Sequence, residues 1–247
     1  VSQRSNKEEP TMGKERRDRG SLIRLMSVAS GLAVALLVFA TVQASDEEAV
    51  KTQQLVDNAQ ITFEHFVADP NMGWFRDHVK DAKGVFIVPT LIKGGFIFGG
   101  SGGTGVLLAR DEKSNKWSYP AFYTMGSVTF GLQIGGEVSE IILMVRTQKG
   151  MDKMLTSSFK LGADADVAAG PVGAGAKVAT ADILAFARSK GLYGGLNVEG
   201  AVIATREKLN NKYYGKSVRP LDILVRRDVR NKKADPLIKV VAKATKK

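Results

Sequence analysis

The sequence predicts an α+β fold: a glycine-rich, mainly antiparallel β sandwich or barrel-like core built from two related halves, with helices at the N- and C-terminal ends. Three observations predict it. Apolar residues recur at helical spacing only near the two ends of the chain that follows residue 45. Between them lie short apolar runs bounded by glycine. One glycine pattern also occurs twice, its copies beginning at Phe98 and Tyr193.

Ahead of the fold, residues 1–44 read as an address. No charge falls between Leu25 and Ser45, the centre Gly31–Ala40 is densely apolar, and the basic stretch Lys14–Arg19 precedes it. Val42-Gln43-Ala44 suits signal peptidase, so the segment reads as a secretory signal peptide with an upstream extension, removed to leave Ser45 first. Met12 is the start that gives a leader of normal length. A retained membrane anchor is the alternative, because about 20 apolar residues can span a bilayer. Arg16-Arg17 lacks the apolar pair of a twin-arginine signal, and the residues after Met12-Gly13 lack the Ser or Thr that myristoylation needs. The expected location is exported, periplasmic or secreted, with peripheral membrane association.

Residues 45–247 are expected to form one domain. A helix is predicted over Asp46–Val67, where Val50, Leu55, Val56, Ala59, Phe63, Phe66 and Val67 recur at near-helical spacing. Asp69-Pro70 ends it, and Met72–Ala82 reads as a second helix. Strands are predicted at Val85–Val88, Gly95–Phe98, Val106–Ala109, Trp117–Tyr123, Ser127–Ile134 and Val138–Val145. After a helical turn near Gly150–Thr156, strands resume through Phe159–Val167, Ala174–Val178, Ile183–Ala187 and Ala201–Thr205. Arg206–Tyr214 and Asp235–Ala244 return to helix, separated by a turn at Arg219-Pro220.

The repeat aligns Phe98-Gly-Gly, Gly105, Ala109 and Glu112-Lys113 with Tyr193-Gly-Gly, Gly200, Ala204 and Glu207-Lys208. It is the ground for two related halves, packed together or closed into a barrel. Glycine at fixed strand positions points to tight bends or close backbone approach, so valine at Gly102 or Gly105 is expected to destabilise the fold.

Composition narrows the function. The 247 residues contain no cysteine and two histidines, which removes disulfide scaffolds, thiolate zinc sites and cysteine catalysis. Gly100–Gly105 matches the dinucleotide pattern G-x-G-x-x-G, but the apolar run Val106–Ala109 follows where a helix should begin. Gly99–Gly103 matches the elbow G-x-S-x-G around Ser101, but both histidines precede it. Asp164 and Asp166 lack the rest of a calcium loop and read as solvent-facing residues of one strand face. Asp77-His78 has no nucleophile near it in sequence. No catalytic residue, cofactor, metal or nucleic-acid partner is expected.

The formal charge is +11 and its location is uneven. Residues 206–247 hold 14 basic and 4 acidic residues, against 15 and 17 in residues 45–205. A basic segment of this kind meets polyanions.

Many short motifs occur in order: Ala82-Lys83-Gly84-Val85, Lys93-Gly-Gly-Phe96, Gly102-Gly103-Thr104-Gly105, Lys116-Trp117-Ser118, Glu137-Val138-Ser139, Ser189–Gly195, Val198-Glu199-Gly200 and Tyr213-Tyr214-Gly215. With them the chain resembles the SYLF domain family of lipid-binding proteins from about Leu55 to Leu224. The resemblance implies a glycine-rich β domain without enzymatic activity that binds membrane lipid. In family members a basic segment leads into the domain; here Asp46-Glu47-Glu48 stands there instead. The expected ligand is therefore an anionic phospholipid surface of the bacterial envelope, met by Arg226, Arg227, Arg230, Lys232 and Lys233 in the basic C-terminal tail (206–247). The apolar face of Leu237, Ile238 and Val241 is expected to assist, and the fold to survive neutralisation of the five cations. Lys80, Lys83 and Lys93 are the second candidates. The alternative is an envelope protein-interaction or scaffold module with no specific lipid ligand.

Overall fold

Four long antiparallel strands form the centre of the computed structural model, which describes residues 49–95, 98–130, 135–170, 180–189, 192–195 and 198–246. They are β1 (Gly84–Gly95) and β2 (Phe98–Ala109), which pair as a hairpin, with β3 (Ala121–Phe130) on the free side of β2 and β4 (Gly135–Val145) on the free side of β1. Around them lie β5 (Ser158–Lys160), β6 (Val167–Ala169), β7 (Ile183–Ser189), β8 (Leu192–Gly195) and β9 (Val202–Thr205). The strands run β5-β9-β3-β2-β1-β4-β7-β6, with β8 on β7, and every pairing except β6 with β7 is antiparallel. The helices are α1 (49–68), α2 (Gly73–His78), α3 (Gln148–Met154), α4 (Glu207–Tyr214) and α5 (Asp235–Ala244). The predicted leader and the strand expected at 174–178 lie outside the described residues.

The sheet curls until its edges meet. Leu161, after β5, bridges Ala165, before β6, through a turn in which Gly162 is left-handed (φ 82°). Phe159, Ile203, Ile183 and Ala185 from the two ends thus join Phe86, Leu107, Tyr123 and Leu143 in one core on the inner side. A second core covers the outer side. There Val56, Ala59, Phe63 and Phe66 of α1, Phe75 of α2, and Leu237 and Val241 of α5 pack on Val85, Ile87, Val106, Phe122, Ile142 and Phe186. Phe75 meets Phe186 edge-on at 5.2 Å, a favoured aromatic geometry. Burial on both sides explains why Val85–Val88, Ile141–Val145 and Ile183–Phe186 are apolar without alternation.

Several elements depart from expectation. The three strands predicted between 85 and 109 are two strands of twelve residues, and the expected strand at 117–123 starts at Ala121. The second helix is split into 3₁₀, α and 3₁₀ segments over residues 70–81. The pairing of β1 shifts around Pro89 against both neighbours, so the chain bulges there. Gly103 and Gly105 face this bulge: a Cβ at Gly103 would lie 2.5 Å from the Thr90 carbonyl oxygen, and one at Gly105 would overlap that of Ile87. Gly102 faces the other way, with nothing within 4 Å. The expected clash therefore holds at Gly105 and not at Gly102.

Candidate functional site

The end of the sheet where β1 begins and β2 and β4 finish is its base. Three basic residues lie there within short reach of one another. The Arg110 amide donates to the Lys83 carbonyl at 2.8 Å, the Arg110 guanidinium donates to the Lys80 carbonyl, and the Lys83 ammonium pairs with Glu112. The connection from β2 to β3 folds back tightly, with the Ser114 amide donating to the Asp111 carboxylate at 2.6 Å. That bond leads the causes holding the Asp111 carboxyl below the usual range.

The C-terminal segment is bound onto this base. Trp117 Nε1 donates to Thr245 Oγ1 at 2.9 Å, and the Tyr119 hydroxyl donates to Asp235 at 2.8 Å. Burial, then this bond, pushes the Tyr119 phenol up. Asn210 of α4 is fully buried; its side-chain oxygen accepts the Phe122 amide at 2.8 Å, continuing the pairing of β3 beyond the end of β9. Residues 206–246 are thus an integral part of both cores.

Between α4 and α5 the chain makes one π-helical turn, Asp222–Arg226, burying Ile223 and Leu224. Asp222 accepts from the Arg219 guanidinium at 3.2 Å and from Arg226 at 3.1 Å. The bonds from Arg219 hold its carboxyl below the usual range. Arg227 ends the turn in the left-handed region (φ 61°), and its guanidinium donates to the Lys116 carbonyl at 2.9 Å. A 3₁₀ turn follows at Lys232–Ala234, capped by the Asn231 side chain, which accepts the Lys233 amide at 3.1 Å.

The five tail cations therefore divide. Arg230, Lys232 and Lys233 are exposed and form no ion pair among the described residues. Arg226 is paired, and Arg227 serves the fold, so the expectation that all five could be neutralised without structural cost is corrected at Arg227. The apolar face of α5 is corrected too. Leu237 and Val241 are buried against the sheet and Ile238 packs beside them, leaving that face unavailable to a membrane. Lys80 and Lys83 sit at the base near the tail, whereas Lys93 lies ten residues along β1 at the other end, about 30 Å away.

The residues that mimic enzyme motifs have structural surroundings. Ser101 lies in the middle of β2 with its hydroxyl 2.8 Å from that of Ser127. His78 stacks on Trp74 at 4.0 Å, and its Nδ1 lies 2.8 Å from the Trp74 carbonyl. Asp164 accepts the Lys160 amide in the turn that joins β5 to β6, and Asp166 pairs with Lys149, so the two carboxylates do not share a strand face.

Comparison with known proteins adds a family to this geometry. Residues 126–244 match the model described as "Ysc84: Las17-binding protein actin regulator". LAS seventeen-binding protein 3 of Saccharomyces cerevisiae is 34% identical over 173 residues, covering 67% of this chain and 37% of that protein. Protein YSC84 of the same yeast is 32% identical over 186 residues, covering 70% and 39%. The human SH3 domain-containing YSC84-like protein 1 is 29% identical over 175 residues, covering 68% and 51%. The chain thus spans between about a third and half of the length of these relatives. No solved structure matches it.

Proposed function

The chain belongs to the Ysc84, or SYLF, family of binding domains, and on that premise we propose that it is a non-enzymatic membrane-surface module that holds anionic phospholipid at the base of its sheet. The supporting observation is the trio Arg230, Lys232 and Lys233, exposed and without an ion pair among the described residues, at a capped turn between two buried anchors, Ile223-Leu224 and Leu237. The anchored backbone holds the three cations close together, so little backbone freedom is lost on meeting phosphate groups. Each basic residue near an anionic surface contributes about 1 kcal/mol.

Co-sedimentation with phosphatidylglycerol vesicles tests the proposal. Changing Arg230, Lys232 and Lys233 together to Gln is expected to weaken binding by roughly two orders of magnitude, at about 1 kcal/mol per charge. Wild-type binding is expected to weaken steeply between 0.1 and 1 M salt, as the screening length falls from about 10 Å to about 3 Å. Binding by the triple variant equal to wild type would place the lipid contact elsewhere.

Export to a bacterial envelope is part of the same proposal and rests on residues 14–44. Intact mass of the native protein is expected to begin at Ser45; a mass retaining residues 12–44 in a membrane fraction would establish the anchor instead. A protein-interaction role has separate support, since relatives are named for binding Las17.

A further inference from the structure

The inner, concave side of the curled sheet changes character along its length. From the base it is apolar as far as Leu91 of β1, Met125 of β3 and Ile141 of β4. The residues that alternation turns inward beyond these are Lys93, Ser127, Ser139 and Glu137, with Ser101 on β2. Strand pairing sets four of them in one row: Ser127 opposite Ser101, Ser101 opposite Lys93, and Lys93 opposite Glu137. The two serine hydroxyls lie 2.8 Å apart, so they share one side of the sheet and one hydrogen bond. That bond uses one hydroxyl hydrogen and leaves the other for a further acceptor. Glu137 accepts the Ser139 hydroxyl at 3.1 Å. The Lys93 ammonium forms no ion pair or hydrogen bond among the described residues, with Glu137 or any other. Lys93, Ser101 and Ser127 are each partly buried and partly open to solvent.

We infer that this row binds the carboxylate of a small molecule on the concave side of the sheet, away from its base. Partial burial strips water from the Lys93 ammonium, and no described group of the chain replaces that water; a carboxylate would. Its two oxygens match the two kinds of donor present, the ammonium of one strand and the spare serine hydroxyl of the next, about 4.8 Å away. The bond from the ammonium is charge-assisted, the stronger class of hydrogen bond. Barrel mouths of this kind are a common place for small-molecule sites. Charge selects among anions. Lys93 supplies one positive charge and Glu137 stands one strand away, so a single negative charge is matched and a second is repelled. The site lies toward the opposite end of the sheet from Arg230, Lys232 and Lys233 and does not depend on the membrane reading.

Titration of the isotope-labelled protein with lactate, followed by amide chemical shifts, tests the inference. Saturable shifts at millimolar lactate are expected, centred on Lys93, Ser101 and Ser127. Succinate and inorganic phosphate, which carry a second charge, are expected to bind several-fold more weakly. Affinity for lactate is expected to fall at least tenfold for Lys93→Met, and likewise for Ser101→Ala combined with Ser127→Ala. Each variant is expected to keep its circular dichroism and thermal midpoint, because none of the three side chains belongs to a core. The Arg230/Lys232/Lys233→Gln variant is expected to bind lactate as wild type does, whatever becomes of its vesicle binding. Shifts that do not saturate, or that persist unaltered in Lys93→Met, would overturn the inference. So would tighter binding of phosphate than of lactate, or lactate affinity lost in the Arg230/Lys232/Lys233→Gln variant.

Discussion

Gly105→Ala is expected to destabilise the protein by about 3 kcal/mol or more, while Gly102→Ala changes stability by less than about 0.5 kcal/mol. The two glycines stand three residues apart on β2 and differ only in what they face. A methyl group at Gly105 would run into the Ile87 carbonyl, with the Phe86 ring and Val88 2.9 Å away. Those atoms belong to the bulge of β1, which is held by pairing on both sides, so the obstacle is backbone and cannot swing clear. At Gly102 the same methyl enters open space. In a domain of this size the Gly105 variant should lose roughly 6–12 °C in thermal midpoint. Urea titration of both variants decides the matter. A Gly105→Ala protein as stable as wild type would mean that β1 does not approach β2 this closely in solution.

That glycine pair also shows where sequence reasoning reached and where it stopped. The run Gly100–Gly105 announced a close approach, but not which of its glycines made it, because the direction each faces depends on the register of β1. Gly94 to Gly103 read as breaks between short strands, whereas they are extended and paired across the long hairpin. The repeat misled in a related way. Gly105 is extended within β2, but its counterpart Gly200 is left-handed (φ 81°) and its amide donates to Leu161, so the second copy is divided between β8 and β9. By contrast α5 was legible to the residue. Pro236 in its first turn and the spacing of Leu237, Ile238 and Val241 are local signals that tertiary structure did not override.

The candidate surface was half legible. Its excess of positive charge follows from counting. Which charges are available does not, because Arg227 spends its guanidinium on the Lys116 carbonyl, 111 residues away in sequence. The pairing of Asp222 with Arg219 and Arg226 was within reach, since three- and four-residue spacing places such groups together in any helical turn. The apolar stripe of α5 was visible, yet a stripe facing a sheet and a stripe facing lipid have the same spacing.

Asp182→Asn is expected to cost about 2–3 kcal/mol at neutral pH, from charge-assisted bonds worth about 1.5–3 kcal/mol. The carboxylate is buried where the curl of the sheet closes. It accepts the Thr147 hydroxyl at 2.6 Å, the Asp166 amide at 3.0 Å and the Lys149 ammonium at 3.0 Å, so one side chain fastens the starts of α3, β6 and β7. Burial alone would push its carboxyl up, but those three donors outweigh burial and hold it below the usual range. A group depressed on folding stabilises above its unfolded value, about 3.9, and that stabilisation is lost as pH falls through the lower folded value. Wild type and Asp182→Asn should therefore differ most at pH 6–7 and converge as pH falls below about 4. Urea midpoints measured for both proteins from pH 7 to pH 3 check this. A constant difference across that range would mean the lost stability is steric, and that the charge of Asp182 does not hold the curl closed.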